Sequence, residues 1–285
     1  MNKKILLVDA NLLLFKSYFG SFRTELKSDD KIQTFAIHTF FSSLLAAINY
    51  VEPTHLYLAF DSPEKTKRHE LNPDYKAGRA QAPDDLWEQF QWIKKLLDAL
   101  KIVHQNIAQY EADDLIATLA NRYSNENNQI IVYSDDRDLL QLVSPHISVL
   151  TKKNKEFLLK TVDNFKDLEG IEPCQMIDFK AIAGDPSDNL KGVPGIGIIG
   201  AKKMLNSHQN LDNIYNSLND FSAKIQQKLL EGKENAYLCR KMVKLNSNAP
   251  IEYNFNDLAF NLTYTLEAEE ILNYLNLYWL KERII

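Results

Sequence analysis

The chain has 285 residues, 45% hydrophobic and 25% charged, and its 33 lysines and arginines face 38 acids for a net charge of −5. That balance describes a globular chain with its own core and excludes a disordered or low-complexity protein. No apolar run reaches membrane-spanning length. The run after Lys3 and Lys4 stops at Asp9, too early for a secretory leader, and Cys174 and Cys239 lack metal-ligand spacing, so the expectation is a monomeric protein of the reducing cytoplasm.

In chain order, residues 5–8 form a short apolar run of the kind that makes a buried strand, and it ends on Asp9. Residues 37–50 carry apolar positions at helical spacing. Residues 56–60 predict a second strand, ending on Asp61. The segment 62–83 breaks the alternation. It is polar and contains Pro63, Pro73, Gly78 and Pro83, which predicts a long, mobile excursion of the functional kind. Helical spacing returns at 86–100 and 113–123, and 130–133 predicts a third strand, followed by Ser134, Asp135, Asp136 and Asp138. Such alternation predicts an α/β fold with a mostly parallel central sheet flanked by helices. From about Val162 the pattern turns helical, with runs at 174–183, 201–205, 211–243 (broken near Gly232) and 266–280. The division this suggests is an α/β unit over 1–170 and a helical region over 171–285, packed as one body.

Each predicted strand thus runs into aspartate. At the carboxyl ends of strands in an open parallel sheet, such residues border one crevice, where ligands bind. Glu111 and Asp114, three apart, share a helical face with Asp113 beside them, and Asp185 and Asp188 repeat that spacing. Taken alone, each acid also reads as a helix cap, a dipole partner or a solvated turn. Those readings leave the convergence unexplained, because so many carboxylates at one sheet end repel unless cations neutralise them. Oxygen donors select magnesium or manganese over zinc. Two such ions roughly 3.5–4 Å apart clamp an in-line phosphoryl displacement, so the expected chemistry is metal-dependent phosphodiester hydrolysis. The net charge does not oppose a nucleic-acid partner: without the nine clustered acids, 29 would face 33 basic residues, a balance of +4.

Val8-Asp9, Ala59-Phe60-Asp61, Tyr110-Glu111-Ala112-Asp113-Asp114, the run from Asp136 to Leu142 and the run from Gly184 to Leu190 resemble, in this order, the 5′ nuclease (flap endonuclease) family. The likeness is strongest to the 5′→3′ exonuclease domain of bacterial DNA polymerase I, here in free-standing form, and it extends from Val8 to about Lys244. It implies a PIN-like 5′ nuclease core with a helical arch at about 62–83 and a helix–hairpin–helix at about 178–206. It implies one metal group of Asp9, Asp61, Glu111, Asp113 and Asp114 and a second of Asp136, Asp138, Asp185 and Asp188, holding two magnesium ions, with manganese as a substitute. Asp135 stands where the family has a small residue and is not counted, and Ala10 stands at a position commonly glycine. In the arch, the resemblance implies Lys76 and Arg79 as catalytic cations and Arg68 as a DNA contact, with Tyr75 either stacking on a base or packing. Gly192, Gly195 and Gly197, followed by Lys202 and Lys203, resemble a hairpin that holds a duplex phosphate on backbone N–H groups, with a monovalent cation such as potassium.

The implied substrates are DNA flaps, nicks and 5′ ends, RNA-primed ends included, processed during primer removal, replication and repair beside a separate DNA polymerase. Two other readings compete. One is a relative that grips branched DNA without cutting it, against which the nine retained acids argue. The other is an RNA-cleaving PIN domain, which needs neither the glycine-rich anchor nor the basic excursion.

Overall fold

Strands that are apolar at nearly every position need cover on both faces. The computed structural model describes residues 3–78, 82–154 and 156–284. Its first half contains β1 (Lys3–Asp9), α1 (Ala10–Ser21), α2 (Phe35–Val51), β2 (His55–Ala59), α3 (Lys67–Leu71), α4 (Asp84–Ala99), β3 (His104–Gln105), α5 (Ala112–Tyr123) and β4 (Asn128–Tyr133). There follow β5 (Ile147–Lys153), β6 (Glu156–Lys160), α6 (Val162–Glu169), α7 (Met176–Ala183), α8 (Ile198–His208), α9 (Leu211–Asn216), α10 (Ala223–Glu231), α11 (Lys233–Val243), α12 (Leu266–Tyr274) and α13 (Tyr278–Ile284). The sheet order is β3-β2-β1-β4-β5-β6, parallel except for the antiparallel β5–β6 pair. Both the α/β class and the mostly parallel sheet read from the sequence are therefore present.

The period-two alternation of strand side chains divides them between two cores. Ile5, Leu7, Tyr57, Ile130 and Val132 face a layer built on α5 and the helices from α6 to α11. Leu6, Val8, Leu56, Leu58 and Ile131 face α1, α2 and α4. The last helices return to this second layer, where Leu272, Leu275, Leu277 and Leu280 join its core. Residues 266–284 thus cover the first half of the chain instead of extending the helical region. The single helix expected over 266–280 is two, broken where Asn276 takes a positive φ of 55° and Leu277 N–H turns back to Leu272 O at 2.9 Å.

The β5–β6 hairpin is absent from the sequence reading because its edge, with Lys152, Lys153, Glu156 and Lys160, has no apolar run longer than the three residues Phe157, Leu158 and Leu159. Charges on an edge strand discourage pairing with further chains. The polar excursion is folded as far as it is described. It forms α3 and a turn that docks on the second half: Lys76 N–H meets Asp188 O at 3.1 Å and Asn189 Nδ2–H meets Asp74 O at 2.9 Å.

β1 lies where the strand order reverses, since the chain steps outward to β2 and β3 and then returns to β4 on the other flank. The crevice of such a sheet opens at the carboxyl ends of these strands. Asp9 and Glu111, the N-caps of α1 and α5, sit at that end. No helix among the described residues is long and apolar enough to cross a membrane.

Candidate active site

Asp9 closes β1 and caps α1, accepting the Leu12 N–H at 2.9 Å, while Ser134, just past β4, donates its hydroxyl to the other oxygen at 2.8 Å. Ser134 Oγ in turn takes the Asp136 N–H at 2.9 Å, so one small residue ties two strand ends together. Asp61 accepts from Asn11 Nδ2 at 2.6 Å and from Ala112 N–H at 2.8 Å. Held this way, Asp9 and Asp61 line a cavity of about 410 Å³ with Asp113, Asp136, Asp138, Asp188 and Lys76. Ser134 and Asn11 escaped the sequence reading, since nothing local marks a serine or asparagine as the orienter of a distant carboxylate.

Gathering these acids in a buried place makes their charged forms expensive. Burial, reinforced by Asp61 and only partly opposed by the Leu12 bond, pushes the Asp9 carboxyl up to about 7. Burial and neighbouring Glu111 raise Asp113. Burial raises Asp138 to about 6, although Lys180 pulls the other way. Carboxyls displaced like this in a cleft mark a functional site.

The second group is tighter. Asp138, Asp185 and Asp188, all buried, bring one oxygen each within 4.8 Å of one another. Lys180 of α7 reaches into them, pairing with Asp138 and, at 2.7 Å, with Asp185. Burial would lower the Lys180 ammonium, but Asp138 and Asp185 outweigh it and hold the pKa up. Burial would likewise raise Asp185, yet Lys180 and Ser187 bring it below its usual range. Lys180 was missed by the sequence reading. Its one signal is a charge set between Phe179 and Ala181 in a helix whose only other charged residue is Asp178.

The arch residues fare differently. Arg68, expected to touch DNA, is buried: Nη1 donates to Glu111 at 3.0 Å and Asp114 at 2.9 Å, Nη2 to Asp114 at 2.7 Å, and Nε to Met242 O at 3.0 Å. Asp114 spends both oxygens on this fork and also accepts the Asn246 N–H at 2.8 Å. It lines a separate pocket with Thr66 and Lys244 and not the shared cavity, because a planar guanidinium matches a carboxylate bidentately. Tyr75 realises the packing alternative. It is buried, with its hydroxyl 3.1 Å from both Glu111 Oε2 and Asp188 Oδ2, and burial with those two carboxylates raises its pKa. Lys76 Nζ lies 3.0 Å from Glu111 Oε2 on the cavity wall. Arg79 falls outside the described residues.

Between α7 and α8 the glycines divide by task. A Cβ on Gly192 would stand 2.3 Å from Ile182 O and 2.4 Å from Gly184 N, so this glycine serves a close approach within the chain. Gly192→Ala is expected to lower stability by about 1–3 kcal/mol, read from urea unfolding; an unchanged midpoint would show that the loop opens freely. Gly195 has φ +72° and its carbonyl accepts from Lys228 Nζ at 2.8 Å. Gly197 caps α8 with open space around it. Lys202 folds back onto the Glu169 carbonyl, whereas Lys203 is exposed.

A cavity walled by carboxylates at the strand ends of a parallel sheet, with a lysine on its wall, is an arrangement suited to holding cations. Residues 4–167 match the family model of the 5′-3′ exonuclease, N-terminal resolvase-like domain, and residues 171–265 that of the 5′-3′ exonuclease, C-terminal SAM fold. The chain is 37% identical over 280 residues to a 5′-3′ exonuclease of Mycoplasmopsis pulmonis, covering 97% of this chain and 91% of that protein. It is also 37% identical over 263 residues to DNA polymerase I of Bacillus caldotenax, covering 91% of this chain but 30% of the polymerase. Among solved structures, the flap endonuclease of bacteriophage T5, in a pseudo-enzyme-product complex with DNA and metal ions, shares the fold with a TM-score of 0.69 at 20% identity, over 99% of each chain. The chain belongs to the 5′-3′ exonuclease family.

Proposed function

We propose that the chain cuts DNA phosphodiesters at 5′ ends and 5′ flaps with two magnesium ions, manganese substituting. The observation that carries this is the convergence of Asp9, Asp61, Asp113, Asp136, Asp138 and Asp188 on one cavity beside Lys76. The donor set fits such ions, being oxygen throughout, with Asp138, Asp185 and Asp188 already within 4.8 Å of one another. Asp9, Asp61 and Asp113, with Glu111, would hold one ion, and Asp136, Asp138, Asp185 and Asp188 the other. Asp114 serves instead as the partner of Arg68. Bound there, the ions would supply an acidified water and neutralise charge building on the phosphate.

The rest falls to the chain itself. Ser134 and Asn11 hold Asp9 and Asp61 in place beforehand, which spares reorganisation during the reaction. Lys76 is placed to leave Glu111 and donate to an oxygen of the scissile phosphate. Lys180 neutralises Asp138 and Asp185 and so limits how strongly the second group draws a cation. Gly197 N–H and Lys203 hold a duplex phosphate at the hairpin, with potassium as its monovalent cation. The substrates are nicks, flaps and RNA-primed ends, which places the enzyme beside a DNA polymerase in primer removal and repair.

The displaced carboxyls give this reading a pH signature. A carboxyl whose folded pKa stands above its unfolded value of about 4 adds stability at low pH and loses it as pH rises through the folded value. For Asp138 and Asp9 that loss ends at about 6 and about 7 respectively. The rise in Tm caused by saturating magnesium is therefore expected to grow between roughly pH 5 and 8. A rise independent of pH would mean that the ions bind elsewhere.

The direct test is a 5′-flap duplex incubated with magnesium or EDTA, beside an Asp136→Ala variant. Magnesium-dependent cutting near the junction, lost in the variant, is the expected result. Tight binding without cutting in magnesium or manganese would leave a DNA-binding relative whose acids do no chemistry.

A further inference from the structure

A second cavity, of about 230 Å³, adjoins the carboxylate cluster and shares Asp9 with it. Its lining has a different chemistry: Ser17, Thr39 and Ser43 offer hydroxyls, Lys16 and Lys152 offer ammonium groups, and Asp135 adds a carboxylate. Ser17 is 2% exposed, and its Oγ has no hydrogen-bond partner among the described residues. Such a buried hydroxyl is unfavourable until something pairs with it. Lys16 comes from α1 and Lys152 from β5, and they lie close enough that the Lys16 charge, after burial, lowers the Lys152 pKa. Two like charges beside an idle hydroxyl suit an anion with several acceptor oxygens.

At rest, Asp135 takes that position. Lys16 Nζ pairs with its Oδ2, and the backbone N–H of Lys152 meets its Oδ1 at 3.3 Å. Asp135 does not line the metal cavity, so the proposed chemistry leaves this arrangement unexplained.

We propose that this cavity is a phosphoryl-binding subsite for the substrate strand, built from Lys16, Lys152, Ser17, Thr39 and Ser43, with Asp135 as an internal competitor for the Lys16 ammonium. The identity of the ligand rests on the nuclease reading; the anion chemistry does not. When a phosphate enters, one anion replaces another and Asp135, already exposed, turns to solvent. A strand that places a second phosphate here while the first lies at the carboxylates is held at two points, which fixes where along the strand it is cut. The phosphoryl group is either the 5′-terminal monoester or an internal diester, which share this chemistry.

The test is DNA affinity in EDTA, by fluorescence anisotropy, on 5′-flap duplexes with a 5′-phosphate or a 5′-hydroxyl. The proteins are the unaltered chain, Asp135→Asn, the Lys16→Gln/Lys152→Gln double variant, and Glu267→Gln as a control for a lost acid elsewhere. Relative to that control, Asp135→Asn is expected to bind about 3- to 10-fold tighter, a gain that misfolding cannot mimic. The double variant is expected to lose about 10-fold and to flatten the salt dependence by about 1–2 in slope. Effects confined to the 5′-phosphate assign the terminal monoester, and equal effects assign an internal diester. Asp135→Asn matching its control, with the double variant within about 2-fold of the unaltered chain, overturns the subsite. Magnesium added to the unaltered chain reads the other proposal separately: no cutting with the affinity shifts intact sinks the nuclease reading and leaves the subsite standing.

Discussion

Replacing Asp9 with asparagine is expected to cut magnesium-dependent turnover by about 10³-fold or more while raising the melting temperature of the metal-free protein. The two effects share one cause. Asp9 is 7% exposed, and burial together with Asp61 pushes its carboxyl up to about 7. At pH 7.5 the metal-free fold therefore carries an ionised group that its surroundings disfavour. Asparagine keeps the shape and can still accept the Leu12 N–H, but it brings no charge to desolvate and none to hold a cation. A 10³-fold loss corresponds to about 4 kcal/mol of barrier, the upper end of what removal of one preorganised donor at a developing charge costs. The expected gain in Tm is about 3–8 °C. Single-turnover rates in magnesium and melting curves in EDTA measure both. Unaltered turnover would remove Asp9 from the metal group, and a fall in Tm would show that its carboxylate stabilises the fold.

Arg68→Met is expected to destabilise the chain by about 3–5 kcal/mol, the range for breaking a buried pair and leaving one charge behind. The guanidinium joins α3 to the start of α5 and, through Met242 O, to the end of α11. Without it, Asp114 keeps only backbone donors such as the Asn246 N–H. Arg68→Met/Asp114→Asn is expected to recover part of the loss, since neither charge is then stranded. Urea unfolding in EDTA gives the cycle. The same variants separate two roles for Asp114. As the partner of Arg68, Asp114→Asn retains magnesium affinity near that of the unaltered chain, whereas Asp113→Asn loses it. Equal losses would make Asp114 a metal ligand after all.

Legibility in the sequence followed how local each feature is. The strands at β1, β2 and β4 were readable because a strand buried on both faces must be apolar at consecutive positions, and the aspartates after them because turn positions are otherwise free to vary. β5 and β6 were not, since an edge hairpin with lysines and a glutamate satisfies its neighbours with only a short apolar run. The break at Asn276 was hidden because the flanking residues continue the helical spacing, and only their packing on α2 and α4 demands the bend. Arg68 and Lys76 looked alike in the sequence, two cations in one polar segment. Their fates differ because Asp114 and Met242, distant along the chain, close around the first.

By itself the sequence determined which residues are apolar and at what period, and hence the α/β class, and which acids were available to converge. It also carried the ordered motifs that place the chain in its family. Tertiary structure alone decided which of those acids share a cavity and which turn away to a guanidinium, and which glycines face outward. It also decided that Lys180, Ser134 and Asn11 belong to the site. The reason is physical: burial, bidentate pairing and carboxyl pKa depend on distances between atoms that the chain brings together only when it folds.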